Sequence, residues 1–349
     1  MKGAWLITGG CGFIGSNLVA YLLKNHRGIR IRVLDNLKPG SVSEMVSTIR
    51  FNCAMGDPLK NISVSIGDIR DYGACVESVE GVDTVVHLAA NTGVSKSVED
   101  PRADMEANVT GTLNMLEASR HAGVKKFIFA SSGAPAGEVL PPIHENKVPR
   151  PVSPYGASKL AGEAYCQAYW RSYGLPTISL RFGNVYGPGC RHKDSVVARF
   201  MKRALEGEPL EIFGDGSQTR DFIYIEDILR AVTLAGQSCL GGEVFQIATH
   251  RETTINEMAA RIKALVEKKT GRKVGIFFGK PRQGDVKRNF SDISKARRML
   301  GFEPLCGTGA GLEKTLEYFL REGALCKDRA QDGLEPGEKR DAFPGVKAL

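Results

Sequence analysis

The stretch LITGGCGFIGSNLVAYLL, residues 6 to 23, constrains this chain more than any other. An apolar run, AWLIT at 4–8, stops at a glycine, and an amphipathic segment, SNLVAYLLKN at 16–25, follows almost at once. Gly9, Gly12 and Gly15 are spaced through the turn between them. Residues without side chains let the backbone turn tightly and approach a bulky anion. A helix that starts there offers free N–H groups and the positive end of its dipole. Strand, glycine turn and helix in that order predict the first unit of a parallel α/β sheet, with a pyrophosphate site at the carboxyl edge. Asp35 follows Gly15 by twenty positions, at the end of the next apolar run, IRIRVLD at 29–35. A carboxylate there accepts hydrogen bonds from both ribose hydroxyls and repels a 2′-phosphate, so NAD is favoured over NADP. Asp68, in IGDIRD, is placed to end a third strand near an adenine, and a solvated turn aspartate explains the same spacing equally well. HLAA at 87–90 ends a fourth strand with small residues, which leave room for a ligand or serve helix packing.

The same alternation continues. VDTVVHLAA (82–90), KKFIFASS (125–132) and TISLRF (177–182) read as buried strands, with a helix over ANVTGTLNMLEASRHAG (107–123) between two of them. The expected fold is α/β: a Rossmann-type doubly wound parallel sheet with a smaller C-terminal α/β substrate-binding domain. The pattern thins near residue 185, and EVFQIA (243–248) looks like a strand returning to the first sheet. This predicts a dinucleotide-binding domain from 1–182 plus 226–250, and a second domain from 183–225 plus 251–326. TTINEMAARIKALVEKKTG (253–271) carries helix start and stop signals. Residues 327–349, polar and rich in Gly and Pro, are expected to fray.

SPYGASK (153–159) raises the chemical question. On a helix, Tyr155 and Lys159 share one face. A free phenol has a pKa of about 10, and an adjacent ammonium favours the phenolate, which brings the group toward the range of a general base. Tyr-x-x-x-Lys also occurs on plain helix surfaces. Position separates the two readings: FIFASS brings Ser131 and Ser132 to the same carboxyl edge, where a hydroxyl can hold the oxygen that Tyr155 deprotonates.

Together these residues resemble the extended short-chain dehydrogenase/reductase family, within its NAD-dependent nucleotide-sugar epimerase/dehydratase branch, and most closely the UDP-hexose 4-epimerases of that branch. The resemblance covers roughly residues 3 to 325. It implies a catalytic set of Ser132, Tyr155 and Lys159. It implies cofactor contacts from Gly9, Gly12, Phe13, Ile14, Gly15, Asp35, Asn36, Asp68, Ile69, Leu88, Ala89, Ala90, Asn108, Tyr155 and Lys159, with Asn108 also supporting the active-site helices. It implies substrate contacts from Ser131, Ser132, Asn184, Arg220, Arg282 and Asp285, the two arginines clamping a diphosphate and Asp285 meeting the uridine ribose. The implied activity is C4 epimerisation of a UDP-hexose, N-acetylated or not, by transient oxidation to a 4-keto sugar.

Family members commonly follow the catalytic serine with Val-Tyr-Gly, where this chain has Pro135 and Ala136 in SSGAPAGE. The departure bears on sugar specificity more than on redox chemistry. Sugar 4,6-dehydratases usually place Asp-Glu after that hydroxyl, and Gly133 and Ala134 stand there instead. A uronate 4-epimerase is an alternative, since Arg191 and His192 are able to meet a carboxylate, while Asn184 favours a neutral sugar. Asn289 occupies a position filled by bulky tyrosine in some relatives, so acetylated hexosamines have room. A non-catalytic NAD-binding regulator is the reading from another class, and the intact triad argues against it.

The formal charge of +8 is dispersed, without interleaved aromatics, so no nucleic-acid partner is expected. No apolar run approaches the roughly 20 residues of a membrane helix, so no membrane partner is expected either. The eight cysteines form no Cys-x-x-Cys pair and no metal-ligand spacing. Reduced thiols, no metal and a cytoplasmic location follow. The resemblance implies a homodimer through the helices of 107–123 and 155–173.

Overall fold

The first apolar run forms β1 (Gly3–Thr8), and the glycine turn after it leads directly into helix α1 (Phe13–Asn25). In this computed structural model, residues 3–53, 58–281, 286–331 and 346–348 are described. The alternation continues with β2 (Ile29–Asp35), α2 (Val42–Asn52), β3 (Ile62–Ile66), α3 (Tyr72–Val79) and β4 (Thr84–His87). Two short helices, α4 (Val94–Glu99) and α5 (Pro101–Met105), then run through a π-helical turn at Glu106–Thr110 into α6 (Gly111–His121). The single helix expected over 107–123 is therefore interrupted, and Asn108 sits on the widened turn. Such π-turns are often found at functional sites. β5 (Lys126–Ser132), α7 (Pro154–Tyr173) and β6 (Thr177–Phe182) complete the first half.

The second half contributes β7 (Asn184–Tyr186), α8 (Val196–Glu206), β8 (Leu210–Phe213), β9 (Thr219–Arg220) and β10 (Phe222–Tyr224). They are followed by α9 (Ile225–Gln237), β11 (Glu243–Ile247), β12 (Thr253–Thr254), α10 (Ile255–Thr270) and β13 (Ile276–Gly279). α11 (Ser294–Leu300), α12 (Thr308–Gln331) and β14 (Val346–Ala348) close the chain. α10 has the reciprocal capping box its sequence announces, Thr254 with Glu257, and stops at Gly271. Of the segment expected to fray, residues 327–331 lie in α12 and Val346–Ala348 pair with β3, while 332–345 lie outside the described residues.

The eight strands of the main sheet run in the order β11-β6-β5-β4-β1-β2-β3-β14, all parallel. β11 returns to pair with β6, as the sequence predicts. Helices cover both faces, which is why the central strands are near-continuous apolar runs. Alternation still sorts the side chains. Leu6, Leu34, Val85, Phe127 and Phe129 pack into one core with Met115 of α6 and Cys166 of α7. Ile7, Val33, Val86 and Ile128 point the other way, into a larger core that runs on through Phe200, Met258 and Leu316 of the C-terminal half. Strand order reverses between β1 and β4, and such a switch point leaves a crevice at the carboxyl ends. The C-terminal half adds three two-stranded pairs, β7 with β10, β8 with β13 and β9 with β12. Among the described residues, no helix is long and apolar enough to cross a membrane, and no cluster of metal-ligating side chains occurs.

Candidate active site

One crevice at the switch point collects the glycine loop, the ends of β2 and β4, and the catalytic face of α7. Gly9, Gly12, Phe13, Ile14, Gly15, Asp35, Asn36, Asp68, Ile69, Leu88, Ala89, Ala90, Ser131, Tyr155 and Lys159 all line it. The glycines have different physical reasons. Gly9 has a φ of 70° and lies against the backbone of Ala89. A Cβ on Gly15 would sit 2.2 Å from the Gly9 carbonyl oxygen, so only glycine lets α1 pack onto the end of β1. A Cβ on Gly12 would meet only the Gly9 oxygen, at 3.3 Å, so protein packing does not demand glycine there. Its missing side chain instead leaves the crevice open at the start of α1. No side chain caps that helix, so its first N–H groups are available to an anion. The loop therefore fits a dinucleotide pyrophosphate.

Asp35 is buried at the end of β2. Its Oδ2 accepts from the Cys11 N–H at 2.9 Å and its Oδ1 from the Leu37 N–H at 2.8 Å. Burial raises its pKa, and these two bonds oppose the rise. Each oxygen keeps a lone pair for a ribose hydroxyl. Asp68 is held by the side chains of Arg70 and Asn36, and the Arg70 pairing keeps its carboxyl well below the usual range. Asp68 thus lines the crevice as a paired, partly exposed carboxylate that also accepts from the Arg70 N–H in a turn.

Tyr155 and Lys159 occupy the first two turns of α7, which opens with Ser153 as its cap (its Oγ accepts from the Gly156 N–H at 3.1 Å) and Pro154 in the first turn. Lys159 is buried. Its Nζ donates to the Ala130 carbonyl at 2.9 Å and lies 4.8 Å from the centre of the Phe129 ring. Burial lowers its pKa to about 8. Tyr155 opens onto the crevice, yet its surroundings desolvate the hydroxyl and push its pKa up to about 12, while a hydrogen bond with Ser132 pulls the other way. This corrects the expectation that Lys159 brings the phenol toward neutrality. Burial is the largest influence on the phenol, and the nearby Asp104 adds to the rise. Ser132 is not on the crevice lining; its Oγ accepts from the Ala134 N–H at 3.2 Å, and its hydroxyl opposes the rise at Tyr155.

Ser131, expected as a substrate contact, lines the crevice and is also tied to the wall beneath it. Its hydroxyl donates to Glu163 Oε1 at 2.5 Å, and Glu163 receives two bonds from Arg181, at 2.8 and 2.7 Å. Both charged side chains are 5 % exposed. The pair ties β5, β6 and α7 together beneath the site. Glu163 falls four residues after Lys159 on the same helix face, a spacing visible in the sequence that was not used. His87 was missed as well. Thr112 donates its only proton to the Asn108 carbonyl, so it must accept from His87 Nε2–H, which leaves Nδ1 to accept from Thr8. Burial lowers the His87 pKa to about 3, so this imidazole is a neutral strut. Asn108 is buried and off the crevice lining. Its Oδ1 accepts from the Asn91 N–H, and the two Nδ2 protons are shared among the Asn91 carbonyl, Asp104 and Ser158, which gives it a supporting role off the crevice lining.

On the sugar side, Asn184 is exposed on β7, with its backbone N–H bonded to Asp221. The Arg220 guanidinium donates to the carbonyls of Thr219 and Val286, both at 2.7 Å, which fastens β9 to the segment after residue 285. Neither residue is on the crevice lining. Arg282 and Asp285 lie outside the described residues. Pro135 and Ala136 form a short buried 3₁₀ turn after Ser132. Two residues at the exposed edge of the crevice lining were not anticipated together: His192 and Glu44 pair at 2.5 Å.

The profile of the NAD dependent epimerase/dehydratase family matches residues 5–248. The UDP-glucose 4-epimerase of Mycolicibacterium smegmatis is 36% identical over 318 residues, covering 90% of this chain and 97% of its own. The crystal structure of UDP-glucose 4-epimerase from Thermotoga maritima with UDP-glucose superposes with a TM-score of 0.81 at 38% identity, covering 91% of this chain and 99% of that one. That of UDP-glucuronic acid 4-epimerase from Bacillus cereus, with UDP-glucuronic acid and NAD, gives 0.81 at 33% identity, with coverages of 91% and 99%. With the glycine loop, Asp35 and the Tyr155–Lys159 pair on one crevice, this chain belongs to the NAD dependent epimerase/dehydratase family.

Proposed function

We propose that this chain interconverts a UDP-hexose and its C4 epimer. One observation carries the reading: Tyr155 and Lys159 face the same crevice as the glycine loop. NAD+ would be held by the glycine loop and Asp35 and supplies the hydride acceptor. Tyr155, as phenolate, takes the C4 hydroxyl proton while the C4 hydrogen leaves with its electron pair, and a C4 carbonyl forms. The proton and hydride then return, the hydride to the other face of the sugar carbon, and no net oxidation occurs. A phenol raised to about 12 is a strong base once ionised, and Lys159, lowered to about 8, exchanges a proton readily near neutral pH.

Gly133 and Ala134, directly after Ser132, carry no acid, which weighs against the elimination chemistry of a dehydratase. A UDP-glucuronate 4-epimerase is the second reading, favoured by the cationic rim of Lys96, His192 and Lys193 on the crevice. The protein is further read as a homodimer through α6 and α7, whose Tyr165 and Tyr173 are exposed. It is read as cytoplasmic, in keeping with the seven cysteines described as free thiols. Diphosphate contacts from Asn184, Arg220 and Arg282, and a uridine-ribose contact from Asp285, are part of the proposal. The test is incubation of the NAD-loaded protein with UDP-glucose, UDP-N-acetylglucosamine and UDP-glucuronate, followed by NMR. Inversion at C4 of a neutral sugar is the expected result. Inversion of the uronate alone favours the second reading, and inversion of none defeats both.

A further inference from the structure

The wall that carries Tyr155 and Lys159 contains a buried charge that the proposed chemistry leaves unused. Asp104, on the short helix α5, is 1 % exposed. Its Oδ1 accepts from Asn108 Nδ2 at 2.9 Å, and its Oδ2 is buried without a hydrogen-bond partner among the described residues. A carboxylate oxygen left unbonded in an interior is costly, so its presence calls for a reason. Its place in the wall supplies one. From Asp104 the bonds run through Asn108 to Ser158 Oγ, at 3.1 Å, and from Ser158 to the Tyr155 carbonyl, at 3.0 Å. Ser158 lies between Tyr155 and Lys159 on α7, so the carboxylate is wired to the turn that bears both groups.

We propose that Asp104 is a positioning residue for the catalytic pair, placing a buried carboxyl group behind the turn of α7 that bears Tyr155 and Lys159. It acts by charge across the buried wall and by fixing Asn108. The electrostatics of both partners agree. Burial lowers Lys159, and Asp104 heads the charges that resist this, ahead of Cys166 and Glu163. Burial raises Tyr155, Ser132 opposes the rise, and Asp104 adds to it. The remaining groups around the pair are accounted for. Glu163 is matched by Arg181 of β6, and His87 of β4 is neutral. Glu106, on the π-helical turn, is directed to Arg70, at 3.9 Å, and Arg102 of α5 is exposed. Lys96 and Lys193 stand on the open side of the crevice.

The kinetic arm of the test rests on the epimerase reading, and the spectroscopic arm does not. Asp104→Asn keeps an oxygen for Asn108 and removes the charge. Without that charge the phenol ionises more easily and the ammonium loses its proton sooner. Both limbs of the kcat/KM–pH profile should therefore move down by about one unit, with melting temperature and NAD content unchanged. Asp104→Glu, which keeps the charge, should restore the wild-type limbs. In NAD-loaded protein without sugar, the Tyr155 phenolate is titrated by ultraviolet difference absorbance, with the matching Tyr155→Phe protein subtracted. Its midpoint should fall by the same amount in Asp104→Asn. A uniform loss of rate with unmoved limbs, or an unmoved midpoint, overturns the proposal. If Asp104→Asn does not fold, Asp104→Ser carries the same prediction, and failure of both to fold assigns the carboxylate to folding and overturns the proposal. If the wild-type protein epimerises nothing, the phenolate midpoint alone decides.

Discussion

The floor and the lip of the crevice handle charge in opposite ways. On the floor, Glu163 and Arg181 are 5 % exposed, matched oxygen for nitrogen, and joined by Ser131. At the lip, Glu44 and His192 make a single contact with 40 % and 59 % of their side chains exposed. The floor pair holds three elements of the catalytic wall in register, and the fold depends on its being complete. The lip pair joins two segments, α2 and the loop at Cys190–His192, that the remainder of the fold already holds. The difference teaches that geometry near Tyr155 rests on a buried, fully matched pair, whereas the contact at the crevice edge is open to solvent and to solution conditions.

The strongest test of the floor is chemical. Tyr155→Phe should lower kcat by roughly 10²–10⁴-fold, the usual scale of general acid–base catalysis, while NAD content and thermal melting stay unchanged. A fall in NAD content of the same size would show that the phenol is part of the cofactor seat, and the floor would then lose its separate catalytic character. Next in size is the ion pair. Arg181→Met leaves Glu163 buried and uncompensated, and should destabilise the fold by about 3–5 kcal/mol in denaturant titration. The double variant Glu163→Leu/Arg181→Met should be less destabilised than Arg181→Met alone, because no bare charge remains. Equal losses would mean the pair matters for shape rather than charge. Smaller again is Gly15→Ala. Its Cβ would press on the Gly9 carbonyl oxygen at 2.2 Å, and overpacking of this kind costs about 1–3 kcal/mol, read as a lowered melting temperature.

The floor was also the more legible region. Gly9, Gly12, Gly15 and Asp35 act through backbone shape and local hydrogen bonds, so a short stretch of sequence contains nearly all of their physics. Tyr155 and Lys159 needed only helical spacing and the strand before them. What spacing does not carry is solvation. The sign of the Tyr155 shift came out opposite to expectation because the desolvating atoms come from several elements far apart in sequence. The bond from Ser131 to Glu163 is hidden for the same reason: the acceptor is 32 residues away and becomes a neighbour only through the β5–α7 crossover. Asn108 was placed on an ordinary helix, and the π-helical turn that directs its amide into Asn91, Asp104 and Ser158 has no marker in the residue types. The Glu44–His192 contact joins positions too distant for any local pattern to relate.

That contact is where the smallest effect, and the clearest pH dependence, should be found. Glu44 raises the His192 pKa above its ordinary 6.5, and the His192 hydrogen bond lowers Glu44 below its ordinary 4.5. A group with a raised folded pKa lends stability that is complete below its unfolded value and is lost as pH climbs through the folded one. A group with a lowered folded pKa lends stability that is complete above its unfolded value and is lost as pH falls through the folded one. Between about 4.5 and 6.5 both conditions hold, so the pair is fully made in mildly acid solution and weakens as the imidazolium loses its proton above that window. Both side chains are more than a third exposed, and solvent screening limits the gain to about 1 kcal/mol or less. His192→Gln should therefore speed NAD release modestly, by up to about fivefold near pH 6, and the ratio to wild type should shrink toward one well above the His192 pKa. Stopped-flow release of NAD into a scavenging dehydrogenase measures it. A ratio that does not change with pH would show that the lip is held by shape, as the floor is, and the contrast between the two regions would collapse.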